Sequence, residues 1–407
     1  MHRRTVFAAG QAARSVVLCG VLGCVLSMSA SGSLRADAGV GRDISGFVEG
    51  PNGAIYATTR AGGTADLGTV TRIANGQSSV LHSFAGSDGS APLGGLVIGP
   101  DGALYGTTSE GGRLGFGTAF RITPDGAFSE LHAFAIDDGG APRAPLIFGR
   151  DGNLYGTTAG HSVLFNFSSG WKTQIFSYGA VFSLSPSGEP LSFDRKPLRV
   201  LHFFEGGEDG ARPTAPLIQS SDGYLYGTTG VFITSDGLHD AAATAGSVFR
   251  LDPYGSYERI YSFQGTATAA PVGALVEADD GALYGLSAGY SAWMTVVDGA
   301  VFRIERDGAN FRSLSTVAQG ARAQGMVQGP DGFFYGTTAA DGDNALGTLF
   351  RSDLNGNVTP LHAFTSAEDG PPVGPISRAS DGSFLGATAS TIYRATRDGT
   401  VTTLGRL

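Results

Sequence analysis

Cysteine is nearly missing from this chain. The two that occur, Cys19 and Cys24, both lie within the first 38 residues. Beyond that segment no disulfide can form, so a packed core alone must hold the fold, even in an oxidising compartment. Lysine is as scarce, with Lys172 and Lys196 the only examples. Basic residues number 27 against 36 acidic ones, a formal charge of −9. The pattern shows no basic face, which argues against a nucleic-acid binder and against binding to anionic membranes. Sustained helical periodicity is also missing, since no stretch after Ala38 repeats its apolar residues every 3.6 positions. The apolar run VVLCGVLGCVL near the start is too short to span a membrane. Charged residues make up 15% of the chain and hydrophobic ones 42%, which excludes a disordered polymer.

The first 38 residues read as a signal peptide. Arg3, Arg4 and Arg14 precede the apolar run, and small residues lead to Ala36-Asp37-Ala38, an A-x-A type cleavage site. The expectation is a secreted or periplasmic protein cleaved near Ala38. The alternative is a lipoprotein, because Val21-Leu22-Gly23-Cys24 resembles a lipobox with Cys24 as the acylated residue. Cleavage at Ala38 removes four arginines and one aspartate, taking the charge from −9 to −12.

Glycine is abundant, at 64 residues, about twice the usual share. Much of it belongs to a repeat. NGAIYATT begins at Asn52, DGALYGTT at Asp101, DGNLYGTT at Asp151 and DGYLYGTT at Asp222. DGALYGLS begins at Asp280, DGFFYGTT at Asp331 and DGSFLGAT at Asp381. Around each copy stand three more short apolar segments, as in GGLVIG, GTAFRI and FSELHAF of the second unit. Turn residues separate them, so each unit reads as four strands. Seven such units predict an all-β, seven-bladed β-propeller with four antiparallel strands per blade. The blades fall near 43–84, 92–134, 142–204, 213–263, 271–317, 322–364 and 372–407, in a single domain over 39–407. The first segment of each unit is apolar on both sides and follows a small residue or proline, from Gly46 to Pro375. That suits an inner strand beside a crowded axis. Blade 1 opens with its inner strand and blade 7 closes with its outer one, so the ring is expected to close blade to blade.

LIFGRDGNLYGTT (Leu146–Thr158), GTAFRITPDG (Gly117–Gly126) and LHAF followed by DG and P (Leu131 to Pro142) resemble the GloVer-type tandem repeat of secreted bacterial proteins. The resemblance covers about residues 43–407. It implies a secreted propeller and supplies no activity.

The repeat assigns several suggestive residues to scaffold. His82, His132, His202 and His362 occupy one position in different blades, too far apart to share an ion. A repeated local hydrogen bond is the expected role. Arg72, Arg121, Arg250, Arg303, Arg351 and Arg394 should bind carbonyls or acidic turn residues, and Ser183 breaks that series. Asp88, Asp138, Asp209 and Asp369 should shape turns. Asp341-Gly-Asp343-Asn344 is the best calcium candidate but lacks the rest of an EF-hand loop. No metal or cofactor is predicted.

Departures from the repeat point to function. Long second-to-third connections occupy Ala159–Tyr178, Gly230–Ala245 and Ala288–Asp298, all on one face. They hold both tryptophans. One further insertion, Ser185–Leu198, belongs to the opposite face. Loops on a rigid scaffold are where function concentrates. The expected binding residues are Trp171, Tyr178, Phe232, His239, Tyr290 and Trp293. Amphipathic aromatics suit a half-wet surface, although they also suit a structural cap. The expectation is a monomeric, non-catalytic binding protein for a saccharide, small molecule or protein partner. The alternative is an extracytoplasmic saccharide hydrolase, lyase or lactonase-type enzyme on the same face. Its best residues are His161, Asp236, His239 and Asp240, with a histidine as base beside a carboxylate.

Overall fold

In the computed structural model, the described residues are 42–166, 172–191, 196–230, 246–263, 271–287, 299–318, 323–339, 346–365 and 370–407. Seven four-stranded antiparallel sheets succeed one another along the chain. Each is one blade, as the repeat predicts. In blade 3 an extra hairpin, Ser162–Asn166 with Lys172–Phe176, stands between the second and third strands as a sheet of its own.

The second strand shows why the sequence repeats. Leu104–Thr108 is buried throughout, and its tyrosine reaches back to the turn that starts it. Tyr105 donates its hydroxyl to Asp101 at 3.1 Å, while the other carboxylate oxygen of Asp101 accepts the backbone N–H of Ala103. The next residue must be glycine because the third strand lays Phe120 over it. A Cβ on Gly106 would stand 2.6 Å from the Phe120 ring. The same clash recurs between Gly227 and Phe249 and between Gly336 and Phe350.

Apolar packing runs between blades. One cluster joins Tyr56, Val70 and Phe84 of blade 1 to Leu104, Phe120 and Ile122 of blade 2. Six further clusters connect the remaining neighbours in the same way, and one joins blade 7 to blade 1. Closure is completed by Ile44 N–H donating to the Ala389 carbonyl at 3.2 Å and by a Glu49–Arg394 ion pair at 3.0 Å. Neither terminal blade borrows a strand from the other.

Near the axis, backbones approach closely. A Cβ on Gly46 would lie 2.5 Å from the Gly95 Cα of the next blade. The inner strands of blades 2, 3, 4 and 7 are only two or three residues long. Only Ile147–Phe148, Ile218–Gln219 and Ser377–Arg378 pair in blades 3, 4 and 7. Pro145, Pro216 and Pro375 stand just upstream and have no N–H to donate. Where the corresponding residue is Gly46, Ala274 or Gly325, the strand extends to eight, seven or six residues, whereas Gly95 of blade 2 precedes a strand of three.

The repeated polar residues are internal braces. His82 Nε2 meets Asp88 at 2.8 Å, His132 meets Asp138 at 2.8 Å, and His202 meets Asp209 at 3.1 Å. The His82 ring also stacks on Phe128 of the next blade, with centroids 4.1 Å apart. Arg121 pairs with Asp101, Arg303 with Asp280 and Glu305, and Arg394 with Asp381 and Glu49. Arg250 pairs with Glu258, and Arg351 lies over the Phe333 ring. Among the described residues no group of three or more His, Cys, Asp or Glu could hold a metal, and no helix is long and apolar enough to cross a membrane.

Candidate functional site

Second strands end, and inner strands begin, on the face that carries the long connections. Both ends of the blade 3 insertion are tied to neighbouring loops there. Ala159 N–H donates to the Ala141 carbonyl at 3.0 Å, and Arg212 N–H donates to the Tyr178 carbonyl at 2.8 Å. Ser177 N–H donates to the His161 carbonyl at 2.8 Å and closes the base of the insertion. The two receiving loops lead into the inner strands of blades 3 and 4, so they rim the mouth of the ring. The rim is tight, because a Cβ on Gly94 would lie 2.6 Å from the Ala144 carbonyl oxygen.

These loops present arginines. Arg143 immediately precedes Ala144, at a position that blades 2 and 4 fill with Leu93 and Thr214. Arg212 aligns with Ala91 and Ala141, and Arg60, at the exit of blade 1's second strand, aligns with Ser109 and Ala159. Ala91, Ala141 and Arg212 all adopt positive φ, at 49°, 52° and 53°. Two blades put alanine on that backbone, and the third places a long cationic side chain on it.

All three arginines are exposed, and no carboxylate lies within ion-pair distance of any of them among the described residues. Their fields overlap at Arg143. Surrounding protein desolvates its guanidinium and pushes its pKa down, and repulsion from Arg212 and Arg60 adds to this. Glu110 opposes the shift without contacting the guanidinium. A guanidinium without a carboxylate partner is free to hold a carboxylate or phosphate with two parallel hydrogen bonds.

Of the expected binding residues, Tyr178 is described. Its ring is partly buried with the cluster joining blades 3 and 4, and a Cβ on Gly206 would touch it at 3.2 Å. Its position anchors the insertion. Trp171, Phe232, His239, Tyr290 and Trp293 lie outside the described residues, as do Asp236 and Asp240. His161 is exposed, with its ring edge-on to Phe116 at 5.2 Å. The two inner-strand acids, Glu49 and Glu277, serve blade junctions. Glu49 binds Arg394 and the Ser380 N–H, and Glu277 binds Ser221 and Arg306. Sequence reasoning missed Arg60, Arg143 and Arg212, which become visible when each is set against its small or uncharged counterparts in other blades.

The sequence matches the Gloeobacter/Verrucomicrobia repeat over residues 28–229 and 168–402. The chain belongs to that family. No curated protein matches this member of the Gloeobacter/Verrucomicrobia repeat family. Among solved structures it is similar to virginiamycin B lyase from Staphylococcus aureus, with a TM-score of 0.56 at 16% identity, over 89% of this chain and 94% of that one. It is also similar to a puromycin-hydrolyzing peptidase from Mycobacterium tuberculosis, with a TM-score of 0.57 at 14% identity, over 90% of this chain and 53% of the peptidase. At such identities the likeness is one of fold.

Proposed function

We propose that this chain is a secreted, non-catalytic binding protein whose ring mouth, on the insertion face, holds a ligand bearing an oxyanion. The observation that carries this reading is the set of Arg60, Arg143 and Arg212. They break the repeat in three blades, lack carboxylate partners among the described residues, and stand near enough on one face of an acidic chain for Arg212 and Arg60 to depress the Arg143 pKa. Four of the six third-strand scaffold arginines, by contrast, are matched to a carboxylate, as Arg121 is to Asp101 at 2.7 Å. The long connections of blades 3 to 5 leave from second strands that end on this face, and Trp171 and Trp293, which they carry, would supply apolar contact to a ligand. Against this, the hydrolase or lyase alternative has one described residue, His161, packed against Phe116.

Titration calorimetry of the purified protein with citrate and with pyrophosphate at low ionic strength tests the reading, with the two probes separating carboxylate from phosphate preference. Binding of at least one probe should weaken about tenfold or more in Arg143→Gln/Arg212→Gln, because each lost charge-assisted hydrogen bond is worth roughly 1.5–3 kcal/mol. Equal affinity in wild type and variant, or no binding of either probe, refutes it.

A further inference from the structure

Six of the seven second strands start from an Asp-Gly turn, and five of those aspartates have an arginine nearby. Arg121 lies 2.7 Å from Asp101, Arg303 lies 3.1 Å from Asp280, and Arg394 contacts Asp381. Arg306 and Arg397 stand 3.9 and 4.0 Å from Asp222 and Asp331. Asp151 of blade 3 has no such partner among the described residues.

A transposition explains the difference. In blade 2 the third-strand Arg121 faces Ser129 of the outer strand. In blade 3 the third strand carries Ser183, and the arginine has moved across the register to Arg199. From there it reaches outward, and its Nη2 donates to the Tyr254 carbonyl of blade 4 at 2.9 Å. The space a guanidinium fills in blade 2 is left open. A cavity of about 380 Å³ lies between blades 3 and 4, lined by Asp151, Ser183, Arg199 and Tyr254 among others. Leu191, from the one insertion on this face, also lines it. Two departures from the repeat therefore meet at one cavity, on the face opposite the arginine mouth.

We propose that this cavity is a second binding site, for a neutral saccharide. Its charges select against the alternatives. A cationic ligand would meet Arg199 and Arg150, and an anionic one would meet Asp151. A pair of neighbouring sugar hydroxyls satisfies both signs, donating to the carboxylate and accepting from the guanidinium. Tyr254 is 79% exposed and offers a ring on which a sugar's C–H face can stack. The carboxylate is pre-set as an acceptor. Burial pushes the Asp151 pKa up, but hydrogen bonds from Tyr155 and Asn153 outweigh it and hold the group below the ordinary value. The volume lies in the range of small-ligand pockets.

Ser183→Arg is the decisive variant, because it restores the blade 2 arrangement. The new guanidinium should occupy the cavity, pair with Asp151 and leave the thermal midpoint unchanged or higher. The purified protein is titrated with cellotriose, xylotriose and maltotriose. At least one should bind wild type, lose about tenfold or more in Ser183→Arg, and lose severalfold in Tyr254→Ala, an exposed substitution that spares the fold. Arg143→Gln/Arg212→Gln should bind it as wild type does, which separates this site from the mouth. The proposal falls if none of the three sugars binds, if Ser183→Arg binds undiminished while folded, or if Tyr254→Ala has no effect.

Discussion

Asp138→Ala removes one carboxylate and two bonds. Asp138 Oδ2 accepts from His132 Nε2 at 2.8 Å and from the Ala135 N–H at 3.1 Å. The aspartate side chain is 5% exposed and the histidine 9%, so water cannot readily replace what is lost. Each buried polar group left unsatisfied costs roughly 1–3 kcal/mol. About 3 kcal/mol is therefore expected for the pair. A ring of this length has an unfolding entropy near 0.8 kcal/mol/K, which converts the loss to about 4 °C in the thermal midpoint. Blade 1 supplies the control. His82 and Asp88 make the same contact at 2.8 Å but are 18% and 24% exposed. Water can rescue them, so Asp88→Ala should cost about 1 kcal/mol or less. The pH dependence has a definite sign. Burial raises the Asp138 pKa, but the His132 bond and charge, with the Ala135 N–H and the Lys196 charge, outweigh it and leave the value lowered. A depressed carboxylate stabilises above its unfolded pKa, and its contribution disappears as pH falls through the folded one. The gap between wild type and Asp138→Ala should thus shrink once pH falls below about 4, as the carboxylate is protonated. Scanning calorimetry from pH 3 to 7 measures it. Equal shifts for Asp138→Ala and Asp88→Ala, or a gap that fails to shrink between pH 4 and pH 3, would refute the reasoning.

Two further substitutions test other parts of the structure. Gly46→Ala places a methyl group 2.5 Å from the Gly95 Cα of the next blade, a backbone atom that cannot rotate away. It should cost about 1–3 kcal/mol in denaturant unfolding, and a neutral result would mean the axis is less crowded than described. Arg143→Gln relieves repulsion from Arg212 and Arg60 while breaking no ion pair, so the thermal midpoint should rise at low salt and the gain should fade as salt is added. A lowered midpoint would show that Arg143 is structural.

The scaffold was legible because it is written seven times. Tyr105, Gly106 and Phe120 recur together, and a period near 50 residues restricts the fold to a ring of small sheets. Other features needed the third dimension. The His132 series and the Asp138 series both stand out in sequence, yet their partnership depends on a strand end curling back on the following turn. Inner strands shrank to two residues because prolines that fit a crowded axis also remove backbone donors. The arginines at the mouth escaped notice for a different reason. Arg60, Arg143 and Arg212 occupy three different registers of the repeat, so no single aligned column contains them. Only the ring brings them together.

The clusters shared by neighbouring blades bear on how such a chain can be divided. Val70 and Phe84 complete their packing with Leu104 and Phe120, residues that belong to the following blade. A peptide covering one blade would thus carry half of a core on each flank and a whole one nowhere. Nor does cutting the chain into longer pieces help, since every piece short of the full circle leaves two raw faces. The viable cuts are circular permutations, which move the ends to another junction while keeping all seven contacts. By the same logic, a shorter ancestral chain of two or three blades could have been soluble only by assembling several copies into one circle.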